Sequence, residues 1–582
     1  MRSHLTFLAP YLRRYRRYLV FGFLAVVGNQ MVSLVTPMVL REAVDRLHSG
    51  IASATLWWYA GLVVGLTVVS GVFLFFTRRT LIWASRKMEF DLRGDLFAHL
   101  LVLSPLYFDR TPTGEILSRA STDVEEVRMM LGPGIMYTAG TVLVTAGAIP
   151  FMFYLDWRLA LYTLLPLPVL SLAVNRVGAV VHRRFMAIQK HFAVLSAHAQ
   201  ESLAGIRVIK SGSHEDMRDR EFAGLNDQYF DLNMKLIRVQ GLFHPLLYLL
   251  AGLAVVAVVY FGGSSVIAGR ITLGTFVAFT LYLAMLIWPM IALGWVVSIY
   301  QRGTASLERI RQILAAQSDI ADAHIVSMPK AISGGIEIRN LTFAYPGTER
   351  AVLANFSLSI PAGKTLALVG ATGCGKTTLL RLLTRSYAVP EGSILIDGAD
   401  INRIPLARLR RLFGVVAQES FLFSTSLAEN VSFGTAQPLD EERLWELART
   451  AGIAGKIAAL PQTWKTIIGE RGITLSGGQK QRVALARALA VGPLILVLDD
   501  AFASVDTHTE EDILNHLEQD FPGRTTIMAS HRLSTVRRAH RIAVLDNGRI
   551  AEEGTHDELL VRGGFYAVLA EKQALREQLE VI

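Results

Sequence analysis

Six long segments in the N-terminal half of the chain contain no Asp, Glu, Lys or Arg. They cover residues 18–40, 51–77, 129–155, 159–175, 239–269 and 271–301. A helix needs roughly 20 residues, at about 1.5 Å per residue, to cross a bilayer, and only the fourth segment is at the short end of the usual range. Six such runs are too many to be the core helices of one small soluble domain. The pattern therefore predicts a six-helix α-helical transmembrane domain over residues 1–315.

Basic residues are concentrated on one side of these segments. Four arginines fall within residues 13–17, before the first segment, and the long loops at 78–128 and 176–238 are rich in arginine. The other connections are short and carry fewer basic residues. Because Lys and Arg are retained on the cytoplasmic side of membrane proteins, we expect both termini and both long loops in the cytoplasm. The chain is thus predicted to be a multi-pass protein of the inner (plasma) membrane.

The hydrophobic pattern changes after a polar stretch at residues 316–335, which we interpret as a linker. Over residues 336–566, short apolar strands alternate with helical patterns, as in an α/β domain with a parallel sheet. The last residues, 567–582, have leucines near a helical period and are predicted to form a helical tail. The sequence therefore predicts a membrane domain followed by a linker, an α/β domain and a tail.

The composition agrees with a large membrane domain. Apolar residues make up 52% of the chain and charged residues 18%, and the mean hydropathy is +0.37. These values are unusual for a soluble protein of this length. The basic cytoplasmic loops explain the net charge of +9, and no basic patch interleaved with aromatic residues indicates nucleic-acid binding. Cys374 is the only cysteine, so the chain has no disulfide framework.

The most specific motif is the segment GATGCGKT at residues 370–377. It follows an apolar strand at 366–369 and opens a helix predicted over 376–385. A glycine-rich loop between a strand and a helix is typical of phosphate-binding loops. The backbone N–H groups of such a loop surround a phosphate, and the helix N-terminus adds positive potential. The α/β domain is therefore predicted to be a P-loop domain that binds a nucleotide.

The residue types in this loop suit a nucleoside triphosphate. Lys376 is placed to reach the β- and γ-phosphates, and Thr377 is placed to offer its hydroxyl to Mg²⁺. We include Thr378, the next residue of the helix, among the nucleotide-binding residues. The glycines that let phosphates approach the backbone are Gly370, Gly373 and Gly375.

Other motifs follow downstream of this loop. The segment LSGGQ at 475–479 precedes a helical run at 480–490, an apolar strand at 494–498 leads into Asp499, and a strand at 525–528 precedes His531. This order resembles the ATP-binding cassette of ABC transporters, and the resemblance covers about residues 336–566. It implies that the nucleotide is ATP, that Mg²⁺ accompanies it, and that the reaction is ATP hydrolysis.

The resemblance also implies roles for individual residues. Tyr345 is similar to the aromatic residue that stacks on adenine, and Gln418 to the residue that links Mg²⁺ and the lytic water to the membrane domain. Asp499 resembles the carboxylate that holds Mg²⁺, together with Thr377 and Gln418 as the other metal-site residues. His531 resembles the histidine that contacts the γ-phosphate, which makes Gln418 and His531 candidate catalytic residues.

The LSGGQ segment implies a partner. Ser476 can cap the helix that begins near Gln479, and Gly477 and Gly478 remove side chains where a phosphate must approach the backbone. In the family, this segment contacts the ATP that is bound by the other cassette of a dimer. The resemblance therefore implies a second half-transporter. Glu470 resembles the coupling glutamate that is typical of exporters.

Asp500 departs from the family pattern, in which glutamate normally polarises the attacking water. Aspartate is one methylene shorter, so its carboxylate is withdrawn by roughly one C–C bond, although a general base must lie within hydrogen-bond reach of its proton. We therefore expect Asp500 to be a weak catalytic base. A site that binds ATP but hydrolyses it slowly, beside an intact LSGGQ segment, favours a heterodimer over an active homodimer that tolerates the aspartate.

A membrane domain fused to a cassette resembles the exporters of this family, in particular the heterodimeric multidrug-type exporters. Residues 107–110 and 205–210 resemble their two coupling regions. The predicted spans contain few polar residues, which suits hydrophobic or amphipathic substrates taken from the cytoplasm or from membrane lipid. A homodimeric lipid flippase and an ATP-gated channel or regulatory subunit remain alternatives.

Overall fold

The computed structural model describes residues 2–50, 52–320, 322, 332–469 and 475–580. The chain divides into two compact units. The helical unit contains Met1–Val102 and Pro112–Ala316, and the α/β unit contains Leu103–Thr111 and Gln317–Ile582.

Long helices and short connections form the helical unit, with α5 lying in the α/β unit. Several helices continue into one another through π-helical turns, at Arg78–Ile82, Arg119–Asp123, Met130–Gly134 and Val258–Gly262. The helices are α1 Arg2–Arg14, α2 Arg16–His48, α3 Ser53–Thr77, α4 Trp83–Val102, α5 Pro105–Arg110, α6 Thr113–Ser118, α7 Val124–Met129, α8 Ile135–Leu155, α9 Trp157–Leu164, α10 Pro166–Ala204, α11 Ile206–Gly212, α12 Glu215–Ala257, α13 Gly263–Ile267 and α14 Leu273–Ala315.

Five helical segments of the described chain are long and apolar enough to cross a membrane. They are Arg16–His48, Ser53–Val102, Thr113–Leu155, Tyr248–Ile267 and Leu273–Ala315, and they overlap five of the six predicted spans. The predicted span at 159–175 covers the junction between α9 and α10, and several of its side chains lie outside the described residues. A count of six spans therefore stays a prediction.

Close packing joins the helices of this unit. Gly28 of α2 lies against the ring of Phe73 in α3, where an added Cβ would come within 2.7 Å of Phe73 Cε1. Small residues of this kind let membrane helices approach each other. Tyr282 of α14 is fully buried, and its hydroxyl donates a 2.8 Å hydrogen bond to the backbone oxygen of Leu34 in α2. The phenol therefore has a partner in an otherwise apolar core.

A buried carboxylate ties α14 to the π-helical turn Arg119–Asp123. Asp123 is 5% exposed and accepts hydrogen bonds from Ser306 Oγ at 2.9 Å and from Arg309 Nε at 2.8 Å. A charge removed from water is stable only when such partners compensate it. Asp123 therefore connects two long helical segments through hydrogen bonds.

The described residues of the α/β unit form two sheets. The six-stranded sheet has the order β10-β9-β3-β8-β7-β6 and the four-stranded sheet the order β2-β1-β4-β5. In the larger sheet every pair is parallel except β9 with β10. The strands are β1 Ile336–Phe343, β2 Leu353–Ile360, β3 Thr365–Gly370, β4 Ile394–Ile396, β5 Ala399–Asp400, β6 Phe413–Val416, β7 Ile495–Asp499, β8 Thr525–Ala529, β9 Arg541–Asp546 and β10 Arg549–Gly554.

The central parallel strands β3, β7 and β8 of the larger sheet are largely buried, as expected for a parallel sheet, whereas the antiparallel edge strand β10 is mostly not buried. The helix predicted over 376–385 ends earlier, at Leu383, because Arg385 takes a left-handed backbone with φ of 46°. The helices are α15 Lys376–Leu383, α16 Leu406–Arg411, α17 Leu427–Val431, α18 Glu441–Thr450, α19 Ala454–Ala458, α20 Gly477–Ala490, α21 Thr507–Asp520, α22 Leu533–Val536, α23 His556–Arg562 and α24 Phe565–Glu580.

Helix α5 packs within the α/β unit although it comes from the N-terminal half of the chain. Tyr387 Oη donates a 2.6 Å hydrogen bond to Asp109 Oδ2, and Arg110 Nη2 donates to the backbone oxygen of Pro346 at 3.0 Å. Leu106 packs against the apolar core between the two sheets. Burial, and then the hydrogen bond to Asp109, raise the pKa of Tyr387 to about 12, so its hydroxyl remains a donor at neutral pH.

We expect Asp123→Asn to lower the apparent Tm of the detergent-solubilised protein, because the substitution removes the charge that Arg309 and Ser306 compensate. The loss should correspond to about 1–3 kcal/mol of unfolding free energy. The control is Glu126→Gln, since Glu126 pairs with Arg302 at 3.1 Å with both side chains partly in solvent and such pairs contribute about 1 kcal/mol or less. Equal shifts for both variants would contradict this assignment.

Candidate nucleotide site

The predicted site residues lie where parallel strands end. Leu368 of β3 is paired with Ala529 of β8, and Asp499 of β7 is paired with the same Ala529. The loops that follow these three neighbouring strands therefore leave the sheet at one edge. In parallel sheets, ligands bind at the carboxyl ends of the strands.

A cavity of about 460 Å³ opens at this edge. Most residues predicted to bind ATP or act on it line this one cavity. They are Tyr345, Gly373, Gly375, Lys376, Thr377, Thr378, Gln418, Asp499, Asp500 and His531. Gly370 ends β3 at the start of the loop and does not line the cavity.

The loop from Gly370 to Gly375 depends on backbone angles that glycine adopts readily. Gly375 has φ of 110°, and an added Cβ would lie 2.9 Å from Leu353 Cδ2 and 3.1 Å from the backbone oxygen of Val352. A larger residue would strain the backbone and push the loop away from β2. The glycine therefore lets α15 begin directly after the loop, with its N-terminal N–H groups facing the cavity.

Lys376 is held by the loop itself. Its Nζ donates hydrogen bonds to the backbone oxygens of Gly370 at 2.7 Å and Ala371 at 3.0 Å. The side chain is buried, and Cys374 Sγ lies 3.7 Å from Nζ. The ammonium is thus positioned at the loop by neutral carbonyls, and its positive charge can attract an anionic phosphate.

Thr377 and Asp499 form the oxygen-rich part of the cavity. Thr377 Oγ1 donates a 3.1 Å hydrogen bond to Asp499 Oδ1. Burial raises the pKa of Asp499, the hydrogen bond from Thr377 opposes this increase, and the carboxylate of Asp500 adds to it. A hydroxyl beside a carboxylate is a fitting donor set for Mg²⁺, which prefers hard oxygen ligands. Gln418 follows β6 and is exposed at the same cavity.

Tyr345 lies at the side of the cavity, next to α15. Its Oη is 2.9 Å from Thr378 Oγ1, and its ring makes edge-to-face contacts with Phe343 and Tyr387 at centroid distances of 5.3 and 5.2 Å. The half-buried ring is therefore held in place and can offer a face to a flat base.

Asp500 has an unusual backbone conformation. Its φ is 49°, its N–H donates to the backbone oxygen of Ala529 at 2.9 Å, and its own backbone oxygen accepts from Gln481 Nε2 at 3.4 Å. Asp and Asn tolerate the left-handed region better than most residues. The motif alone did not indicate this turn, although the preference of aspartate for such positions is a weak signal of it.

The surroundings of His531 favour its neutral form. Burial lowers its pKa, the charge of Lys376 lowers it further, and the carboxylate of Asp500 opposes the change. Sequence reasoning missed Gln573 of α24, whose amide nitrogen donates to the backbone oxygen of His531. The amide oxygen of Gln573 accepts from Leu533 N at 2.6 Å. The last helix therefore fixes the backbone on both sides of Arg532.

The LSGGQ segment begins α20 and does not line this cavity. Ser476 caps the helix, with Gln479 N donating to Ser476 Oγ at 3.3 Å and Ser476 N donating to Gln479 Oε1 at 3.1 Å. An added Cβ at Gly477 would lie 3.3 Å from Ser504 Oγ, and Gly478 is closer still to the backbone of that serine. The predicted coupling glutamate, Glu470, lies outside the described residues.

Comparisons with known proteins agree with this geometry. Residues 19–290 match the ABC transporter transmembrane region, and residues 353–503 match the family described as ABC transporter. The chain is 35% identical over 566 residues to the probable multidrug resistance ABC transporter ATP-binding/permease protein YheI of Bacillus subtilis (strain 168), covering 96% of this chain and 95% of that protein.

A second relative and a solved structure support the same assignment. The ATP-dependent lipid A-core flippase of Syntrophus aciditrophicus (strain SB) is 34% identical over 558 residues, with 96% of this chain and 92% of the flippase covered. The solved structure of a bacterial Atm1-family ABC exporter with ATP bound has a TM-score of 0.80 and 30% identity, with 96% of this chain and 99% of that chain covered. The chain therefore belongs to the ABC transporter family, and it joins a helical exporter-type membrane region to an ATP-binding region that couples ATP hydrolysis to transport.

Proposed function

We propose that this chain is one half of an ATP-driven exporter that works with a different half-transporter. The observation that carries the proposal is Asp500, the short carboxylate at the cavity, beside a complete LSGGQ segment. The chain's own P-loop would form a site that binds ATP and hydrolyses it slowly. Its LSGGQ segment would complete a faster site on the partner.

The chemistry of hydrolysis supports unequal sites. A positioned general base contributes about 10²–10⁴ in rate and must be within hydrogen-bond reach of its proton. The backbone of Asp500 is held by Ala529 and Gln481, so the turn cannot easily move forward to offset the missing methylene. The other groups, including Lys376 and Thr377, retain their contacts with the loop and with Asp499. We therefore expect this site to bind ATP normally and to hydrolyse it slowly.

Magnesium and the coupling residues belong to the same proposal. Thr377, Asp499 and Gln418 would hold the Mg²⁺ that accompanies ATP, and Tyr345 would stack on the adenine. The neutral imidazole of His531 would contact the γ-phosphate as a hydrogen-bonding group without adding a second positive charge beside Lys376. All of these side chains line the same cavity.

The LSGGQ segment is folded as a separate surface. Ser476 and Gln479 satisfy each other's backbone N–H groups, and two glycines leave the helix N-terminus of α20 open to an approaching phosphate. Because the segment does not line the chain's own cavity, it would act on ATP held by the partner. This arrangement supports the proposed dimer of two half-transporters.

The substrate class follows from the membrane region and the relatives. Exporter relatives imply hydrophobic or lipid-like cargo, and the five apolar helical segments suit amphipathic molecules that reach the protein from the membrane. We place the cassette and both termini in the cytoplasm, since the basic loops lie on that side. Export from the cytoplasm across the inner membrane is the transport direction that we propose.

The contact of α5 with the α/β unit would carry the coupling. Asp109 and Tyr387 are joined by a short hydrogen bond, and Tyr387 in turn contacts the ring of Tyr345 at the nucleotide cavity. A movement of the α/β unit on ATP binding would therefore displace α5, which lies in the segment between α4 and α6. The second coupling region, at 205–210, falls on α11.

A homodimeric lipid flippase is the second candidate function. The observation in its favour is the lipid A-core flippase relative. Purified chain that hydrolyses ATP rapidly on its own, and moves labelled lipid between leaflets, would favour this candidate over the heterodimer.

We expect Asp500→Glu to raise the ATPase rate of the complex between the chain and its copurified partner. The longer side chain extends the carboxylate towards the attacking water, and restoring a base should raise turnover at this site by about 10²-fold or more. ATP hydrolysis is measured with saturating Mg²⁺-ATP, and Asp500→Asn is the control. An unchanged rate in Asp500→Glu would show that the length of this side chain does not limit hydrolysis.

Substitution of Lys376 should show whether the two ATP sites contribute unequally to turnover. We expect Lys376→Ala to weaken nucleotide binding to this chain, because the buried ammonium no longer attracts the phosphates, while total turnover falls less than with the matching substitution in the partner. Nucleotide binding and ATPase rate are measured on the same preparations. Equal and near-complete loss of turnover from both substitutions would contradict unequal sites.

The α5 contact should affect coupling more than ATP binding. We expect Tyr387→Phe and Asp109→Ala each to lower transport per ATP hydrolysed, and the double variant to be no worse than either, because Tyr387→Phe removes the donor and Asp109→Ala the acceptor of the same hydrogen bond. Arg403→Gln is the control, since it breaks an exposed ion pair with Glu391 in the same unit. Additive losses, or an equal loss in the control, would disprove a specific role for the contact.

A further inference from the structure

We propose that a cavity in the helical unit binds amphipathic anions, with Arg78 as the residue that selects their charged head group. The cavity has a volume of about 330 Å³. It is lined by α2, by α3 with the π-helical turn that follows, by α8 and by α14. The inference rests on the proposed export function and names its substrate class.

The described lining of the cavity carries positive charge and no negative charge. Arg78 is the only charged residue among the lining residues that the structure describes, and none of these is Asp or Glu. Within the described chain, no hydrogen bond or ion pair joins the Arg78 guanidinium to another group. A guanidinium next to an apolar cavity gains most from a carboxylate or phosphate, which it binds through two parallel hydrogen bonds. The cavity therefore favours anions over cations.

The uncharged polar groups add donors to the cavity. Asn29 Oδ1 accepts a 2.7 Å hydrogen bond from Ser70 Oγ, so this oxygen is already engaged and the amide N–H groups remain. Gln30 lies beside Gly140. A Cβ atom added to Gly140 would lie 3.3 Å from Gln30 Nε2. Neither amide nitrogen donates to a protein group among the described residues. These N–H donors can add hydrogen bonds to an anionic head group held by Arg78.

The remaining wall is apolar and aromatic. Trp288 and Met285 of α14 and Met136 and Tyr137 of α8 line the cavity. The Tyr137 ring also makes an edge-to-face contact with Trp295, with the ring centroids 4.9 Å apart. Such a surface gains free energy by covering a hydrocarbon or ring body. A ligand that uses both walls has an anionic head and an apolar body.

The position of Arg78 along its helix agrees with this assignment. Helix α3 has 25 residues before Arg78, which is about 38 Å at roughly 1.5 Å per residue, and the hydrocarbon layer is about 30 Å thick. Arg78 therefore lies near the cytoplasmic end of the predicted span, where a head group would enter. It also opens the π-helical turn Arg78–Ile82, a feature found frequently at functional sites.

The neighbouring arginine offers a matched control. An arginine near the end of a span also serves as a membrane anchor, and that role would apply equally to Arg79. Successive residues of a helix point about 100° apart, and Arg79 does not line the cavity. A ligand role for Arg78 therefore predicts a difference between two adjacent arginines of the same chemistry.

The experiment measures equilibrium binding without ATP. The complex with the copurified partner is reconstituted in phosphatidylcholine vesicles and titrated with radiolabelled lauroylglycine, dodecyl phosphate or dodecyltrimethylammonium. We expect Arg78→Gln to raise the Kd of the two anionic probes by about tenfold or more, the effect of losing a charge-assisted hydrogen bond. Arg79→Gln should leave both values unchanged, and Arg78→Lys should restore part of the affinity. The ratio between the carboxylate and phosphate probes identifies the preferred head group.

The outcomes separate this inference from the export proposal. Equal effects of Arg78→Gln and Arg79→Gln, or tighter binding of the cationic probe to the unsubstituted complex, would overturn it. Because binding is measured without ATP, a complex that binds the anions but fails to transport them would contradict the export proposal and leave the anion site standing. A complex that transports only cationic amphiphiles would support the export proposal and contradict the anion site.

Discussion

Parallel pairing of β3, β8 and β7 is the constraint on which the nucleotide site depends. The pairs Leu368 with Ala529 and Asp499 with Ala529 bring the P-loop, the acidic pair and His531 to one edge of the sheet. Side chains of a strand alternate between its faces, so a shift of one residue would exchange the environments of Asp499 and Asp500. Such a shift would also draw a second carboxylate into β7, in which every residue is buried.

Asp500 is subject to two requirements that oppose each other. The turn after β7 has a left-handed backbone, which aspartate accepts with little strain, whereas hydrolysis favours a longer side chain. Aspartate at position 500 suits the backbone angles of the turn, but its carboxylate extends less far into the cavity than that of glutamate. Binding groups such as Lys376 and Thr377 are not affected by this choice, because they belong to a different loop. In the function that we propose, the consequence is a site that holds ATP and seldom cleaves it, and the LSGGQ segment then serves the ATP site of the partner.

Much of this organisation could be predicted from the sequence, because its signals are local. The glycine-rich loop lies between a strand and a helix, and five of the six charge-free runs overlap helices that are long enough to span a membrane. Other features depend on contacts between distant residues. Nothing in the sequence pairs Asp109 with Tyr387, 278 positions apart, or places Gln573 against the backbone of His531. Arg78 could be recognised only as the edge of an apolar run, since its orientation depends on how four helical segments pack.

Unequal ATP sites are the central claim, and the direct test is to find where uncleaved ATP remains. The complex would be turned over with Mg²⁺ and 8-azido-ATP labelled at the γ-phosphate, washed, and irradiated so that each chain is labelled at its own adenine site. A parallel sample labelled at the α-phosphate shows that both chains bind nucleotide. We predict that the γ-label remains on this chain and is lost from its partner. Loss of the γ-label from both chains at the same rate would contradict the account.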